Sequence, residues 1–272
     1  MNMRCEESEN GTRLLFDVTV EAPLPISYKT AELCIRVKKD VSVFVFDEQQ
    51  QYLNQKTVIQ VEQGATLLYF FSRNMSKNVA KTDEFHISLA QGAQFGFYHI
   101  INANGGHYTC HTIIKQSGNG SSCAVFKQIN ASADSILSYN LNQTHEYADT
   151  ESKAVVFAVL DAQSKLSVDG GVVILPDAER ADAAFHIKGV VESACSANMT
   201  VRPVMEIAPF RVKAVHSVDI SPLQTYSIDY LQSQGLELQL IKPLLLAIVL
   251  KNAQNAFLFG WRLFFVIDKA YF

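Results

Sequence analysis

A chain of 272 residues with 48% hydrophobic content can bury a large core, as one elongated domain or as two compact ones. A net charge of −4 and a pI near 6.0 supply no clustered Lys and Arg surface for phosphates, which excludes nucleic acid as the expected partner. Five scattered cysteines with no CxxC spacing argue against both a disulfide framework and a structural zinc site.

The first thirteen residues are polar and acidic, with no apolar core of a leader peptide, so no secretory signal is expected. Residues 1–30 are set apart as an N-terminal segment. From Ala31 to Ile220 short apolar runs alternate with small or Gly/Asn/Asp punctuation. Val41-Ser42-Val43-Phe44-Val45-Phe46, Thr57-Val58-Ile59-Gln60-Val61 and Phe97-Tyr98-His99-Ile100-Ile101 are rich in β-branched and aromatic residues, which are strand formers. No helical apolar period occurs before Ser221. Residues 31–220 therefore read as one β domain.

The runs echo one another. Val61-Glu62-Gln63-Gly64-Ala65 recurs 28 residues on as Leu89-Ala90-Gln91-Gly92-Ala93. Weaker copies at Leu160-Asp161-Ala162, Leu175-Pro176-Asp177-Ala178 and Val191-Glu192-Ser193-Ala194 are spaced by about 16. Small residues returning at a corner suit stacked coils, so the expected fold is a β-solenoid rather than a sandwich.

Several local patterns invite chemistry. His107-Tyr108-Thr109-Cys110-His111 resembles a metal motif, but strand alternation points His107 and His111 one way and Cys110 the other. Ser117-Gly118-Asn119-Gly120-Ser121-Ser122 lacks the Lys-Ser/Thr of a phosphate loop and reads as a hairpin or loop. Asp161, Asp169, Asp177, Asp182 and Asp219 would be the acids of a carbohydrate-active solenoid, yet nothing pairs them, and the two at corners suit turns. His216 stands alone in the row Val212, Ala214, His216, Val218, Ile220. It reads as a core histidine, a metal or cluster ligand, or an interface residue on an end coil.

The pattern changes at residue 221. Ser221 is placed as an N-cap, Pro222 at the first helical position and Gly235 just past the end. Leu223, Tyr226, Tyr230 and Leu231 fall on one helical face. Residues 236–255 read as a second, more apolar helix, interrupted at Pro243. The apolar runs of this region are broken by charges or too short to span a bilayer, so residues 221–272 form a helical region and not an anchor.

Taken together, the segments Thr200-Val201-Arg202-Pro203-Val204-Met205-Glu206-Ile207, Val212-Lys213-Ala214-Val215-His216-Ser217 and Ser221-Pro222-Leu223, followed by Asp229-Tyr230-Leu231-Gln232-Ser233-Gln234-Gly235-Leu236, resemble the SufB/SufD family. So do the coil-like runs 159–165, 170–172 and 175–178, and His145 lies where the family often carries a histidine between coils. The clear resemblance covers residues 142–236. The SufD branch is the better match, because the SufB branch carries a Glu directly after the histidine and this chain has Ser217.

The resemblance implies a right-handed parallel β-helix followed by a small C-terminal α-helical segment. It implies a non-catalytic scaffold subunit of the cytoplasmic SUF iron–sulfur cluster assembly system, paired with a SufB-like subunit and docked by a SufC-like ABC-type ATPase. The cluster-interface histidine maps onto His216, with a transient Fe–S cluster or iron shared with the partner and no tightly bound cofactor. The ATPase-docking region maps onto residues 222–255, including Pro222, Leu223, Tyr226, Tyr230, Leu231 and Gln234. The cysteine that the family carries two residues before the histidine is Ala214 here. The alternatives are a structural solenoid homo-oligomer without cluster chemistry and a carbohydrate-active solenoid.

Overall fold

The computed structural model describes residues 3–8, 11–20, 23–26, 30–47, 52–191, 196–222, 230–237 and 240. Among them, two sheets face one another. The first carries, in spatial order, β1 (Met3–Ser8), β2 (Gly11–Phe16), β4 (Glu32–Val37), β6 (Asn54–Val61), β8 (Ala80–Leu89), β10 (His107–Gln116), β12 (Ile136–His145), β14 (Lys165–Ile174) and β16 (Asn198–Ile207). The second carries β3 (Leu24–Pro25), β5 (Ser42–Asp47), β7 (Thr66–Ser76), β9 (Gln94–Asn104), β11 (Ser122–Ser132), β13 (Glu151–Leu160), β15 (Asp182–Val191) and β17 (Lys213–Pro222). Successive strands switch sheet and pair in parallel with the strand two earlier; only β1 and β2 pair antiparallel. This is a β-solenoid of about six turns. Strands begin well ahead of Ala31: β1, β2 and β3 start both sheets from within the first thirty residues.

The expected corners are present and explain both spacings. At one edge of the coil the left-handed backbone position falls on Asp40, Gly64, Gly92, Gly120, Asp149 and Arg180, with φ between 57° and 66°. Each corner amide donates to a carbonyl one coil on, such as Gly64 N to Gln91 O at 3.0 Å and Gly92 N to Asn119 O at 2.9 Å. That edge repeats every coil, which is the 28-residue echo. The copies about 16 apart alternate between the two edges, because 175–178 links β14 to β15 while 160–162 links β13 to β14. Sixteen residues is thus half a coil. The Ser117–Ser122 stretch is a corner of the first kind, joining two strands of different sheets, and no hairpin forms there.

Inside, every second residue points at the opposite sheet and is buried. Stacked columns such as Val45, Tyr69, Phe97 and Val125 in the second sheet face Ile35, Ile59 and Ile87 in the first. Burial of this kind contributes about 25 cal/mol per Å² of apolar surface. The alternation expected in the middle of the chain is present: His107 and His111 face outward and are exposed, whereas Cys110 is buried.

Ser221 and Pro222 are the last two residues of β17, in register with Val190 and Val191, rather than a cap and a first helical residue. A proline has no amide to donate, so it is accommodated at the end of a strand. A single helical turn at residues 230–233 is described beyond it. It ends as expected: Gly235 takes φ 88°, its amide donates to Gln232 O at 2.9 Å, and Leu236 N donates to Leu231 O at 3.2 Å. These two bonds are the glycine-terminated helix end that closes orphan carbonyls. Leu223, Tyr226 and almost all of the second expected helix lie outside the described residues.

Candidate functional site

The open face at the end of the last coil is built from two strands. β16 stacks on β14, so Met199, Val201, Pro203, Met205 and Ile207 continue the inward column that Leu166, Val168, Gly170, Val172 and Ile174 occupy one coil earlier. β17 stacks on β15, so Ala214, His216, Val218 and Ile220 continue the column of Ala183, Phe185, Ile187 and Gly189. The earlier members are buried; the later ones meet no further coil among the described residues and are half-buried or exposed. Val218 and Ile220 are each 43% exposed and Ile207 46%.

His216 sits in this inward row. Its Nδ1 lies 3.4 Å from Met205 Sδ across the gap between the two sheets. The residue is exposed, so it is neither a desolvated core histidine nor locked by a strong acceptor. Imidazole and thioether side by side form a nitrogen and a soft sulfur donor on an apolar rim. Ala214, the position where the resemblance leads one to look for a thiolate, is in the same row two residues away and offers no donor. Among the described residues no cluster of three or more His, Cys, Asp or Glu could hold a metal ion. The described residues of this face supply no thiolate, the ligand by which clusters are mainly held.

The remaining predicted residues are scattered. Pro222 and Gln234 are exposed, Tyr230 is exposed and Leu231 is half-buried. The acids do not converge. Asp169 lies on the outer face of the first sheet and accepts two bonds from Arg202, at 2.5 and 2.9 Å. Asp182 and Asp219 lie on the second sheet beside Lys213 and Lys188. Asp161 is a corner residue whose Oδ1 accepts from the Ala162 amide. Paired acids on one groove, which glycoside chemistry requires, are absent from the described residues.

His145 closes the inward row of β12. It is fully buried, with Nδ1 at 2.8 Å from Thr150 Oγ1 and Nε2 at 2.8 Å from Ser152 Oγ. Burial pulls its pKa down to about 4, so the ring is a neutral bridge between a corner and the next strand.

What the residue pattern did not reveal is a charged cluster inside the solenoid. Arg73, Asp83, His99, Tyr108, Cys110, Lys127 and Tyr139 are all fully buried. Arg73 donates through Nε to Asp83 Oδ2 at 3.0 Å, through Nη2 to Asp83 Oδ1, and to Gln55 Oε1 at 2.8 Å. Tyr108 Oη donates to Asp83 Oδ2 at 2.6 Å. Lys127 Nζ donates to Thr112 Oγ1 at 2.8 Å and lies 5.0 Å from the Tyr139 ring centre. Burial, with the charge of Lys127 next and that of Arg73 after it, holds His99 well below its ordinary pKa. The signal was present in parity: Lys127 shares the row of Cys123, Val125 and Ile129, and Arg73 that of Tyr69 and Phe71. A charged residue in an inward row normally reads as a break in the strand.

Comparison with protein families matches residues 27–247 to the SUF system FeS cluster assembly SufBD core domain. A comparison with curated proteins found no match. Among the described residues no helix is long and apolar enough to cross a membrane. The match runs from before the first complete coil to beyond the end face that carries His216, and on that extent the chain belongs to the SufBD core-domain family of SUF iron–sulfur cluster assembly.

Proposed function

We propose that this chain is a SufD-like, non-catalytic scaffold subunit of a cytoplasmic iron–sulfur cluster assembly complex, joined through its last coil to a SufB-like subunit and worked by a SufC-like ATPase. The observation that carries the reading is the unfinished end: inward rows of β16 and β17 with Ile207, Val218 and Ile220 exposed around His216. An apolar core cut open in this way costs free energy until another surface covers it. A second solenoid of the same family presents the matching inward rows. The nascent cluster is cargo at that junction. His216 supplies one nitrogen ligand at most, and thiolates come from the partner, since clusters are held mainly by cysteines. The ATPase meets residues 222–255, of which Pro222, Tyr230 and Gln234 are exposed.

The test is co-expression of this chain with SufB-like and SufC-like proteins from the same source. The expected result is a stable ternary complex that reconstitutes a cluster, with His216→Ala keeping the complex and losing cluster yield. Failure of the three to co-purify sinks the reading. A homodimer that forms in their presence and ignores His216→Ala supports the structural homo-oligomer instead.

A further inference from the structure

The buried pair Cys110 and Lys127 is used by neither the scaffold interface nor the ATPase region. The two residues sit on facing sheets of the same coil, β10 and β11, with Lys127 Nζ 3.5 Å from Cys110 Sγ. Among the described residues Cys110 has two hydrogen-bonding neighbours, Lys127 Nζ and Thr112 Oγ1 at 3.7 Å. Of these, only the amine is a competent nucleophile toward oxidised sulfur. His99 stands next to Lys127 in register and its Nδ1 is buried without a hydrogen-bond partner.

We propose that Cys110 and Lys127 form an oxidative cross-link, a sulfenamide made when hydrogen peroxide reaches the core. The thiol is oxidised by two electrons to sulfenic acid as peroxide is reduced, releasing one water. The Lys127 nitrogen lone pair then attacks Sγ, the S–O bond breaks, and the oxygen leaves as a second water with an amine proton. The net change is one thiol, one amine and one peroxide converted to one S–N bond and two waters. Peroxide attacks the thiolate; burial pushes the Cys110 thiol up against it, while the adjacent Lys127 and the Thr112 hydroxyl act in its favour. Burial pulls the Lys127 ammonium pKa down, which favours the free amine that the second step needs. An oxidant without charge is also the kind that crosses an apolar wall. The product staples the two sheets across the core and closes the 17-residue separation between the partners, restricting the unfolded chain as a disulfide does. The link reverses with excess thiol, which restores thiol and amine.

The experiment treats the full chain with hydrogen peroxide, digests it with trypsin without reductant, and reads masses. The expected product joins peptide 82–115 to peptide 116–153, about 2 Da lighter than their sum, with cleavage after Lys127 lost and regained after dithiothreitol. Lys127→Arg keeps the charge but is expected to give no linked species; Cys110→Ser, the smaller change in volume, is expected to give none either. Recovery of Cys110 as sulfinic or sulfonic acid with Lys127 still cleavable overturns the proposal. So does a Cys110 that stays reduced while the outer Cys5 and Cys34 are oxidised.

Discussion

Phe185 and His216 are register partners on β15 and β17; Phe185 is 2% exposed and His216 is open to solvent. One step along a single inward column separates a closed core from an open rim. Residues on that rim add little to the stability of the free chain, because they are not yet covered. Val218→Lys is therefore expected to move the urea midpoint of the isolated chain by the equivalent of no more than about 0.5 kcal/mol. The same substitution places an ammonium in the proposed junction and is expected to abolish capture of the SufB-like subunit. A variant that unfolds, or one that still binds, contradicts the assignment of this rim.

The interior pair predicts the opposite pattern. Arg73 and Asp83 have no water to fall back on, and each supplies most of the other's compensation. Asp83→Leu leaves a buried guanidinium unneutralised and is expected to cost about 3–5 kcal/mol. The double variant Arg73→Met with Asp83→Leu is expected to recover much of that loss, since an apolar pair of similar volume restores packing without charge. Chemical denaturation of the three proteins measures the coupling; equal losses in single and double variants contradict the pairing.

Much of the fold was legible because a corner must obey the same geometry in every coil. Gly64 and Gly92 stack one coil apart at a left-handed position, and their 28-residue echo is that stacking read linearly. The half-coil spacing of 16 was harder to interpret, since Ala162 and Ala178 sit on opposite edges. His216 was placed by parity, but burial is a property of what covers a row, and nothing in the row itself reports that no further coil follows among the described residues. The Arg73, Asp83 and Lys127 cluster was hidden for a related reason. Inward charges satisfied by partners 10 to 25 residues away look, in one dimension, like outward ones.

His145 gives a pH dependence with a definite sign. Its folded pKa is depressed to about 4, while an unfolded histidine titrates near 6.5. Between those values the unfolded chain binds the extra proton, so stability rises with pH across that window. Above pH 6.5 both states are neutral and the contribution is complete; as pH falls toward 4 about 3 kcal/mol is lost. His99, also held well below its ordinary value, acts in the same direction. Urea midpoints from pH 4 to 7.5 should fall steeply on the acid side, and His145→Gln should flatten that slope even if it lowers stability at pH 7. An unchanged slope contradicts a buried neutral imidazole at this position.

Gly170 and Gly171 connect the core to the end face. Gly170 takes φ 134°, and a side-chain carbon there would run into the Leu141 carbonyl oxygen; at Gly171 it would run into the Val204 carbonyl oxygen of β16. Both obstacles are backbone, so no rotamer change relieves them. Gly171→Ala must push β16 away from β14, at the upper end of the roughly 1–3 kcal/mol that overpacking costs. Because β16 carries Met205, the displacement also separates that sulfur from His216. Gly120→Ala is the control, since its φ of 66° is unfavourable for alanine but a side-chain carbon there meets nothing within 4 Å; it should cost only about 1 kcal/mol. Hydrogen exchange distinguishes the two. Gly171→Ala is expected to speed amide exchange selectively in β16 and to weaken partner binding, whereas Gly120→Ala leaves the last coil protected and binding intact. Equal protection of β16 in both variants would show that the end face does not depend on the close approach of these two strands.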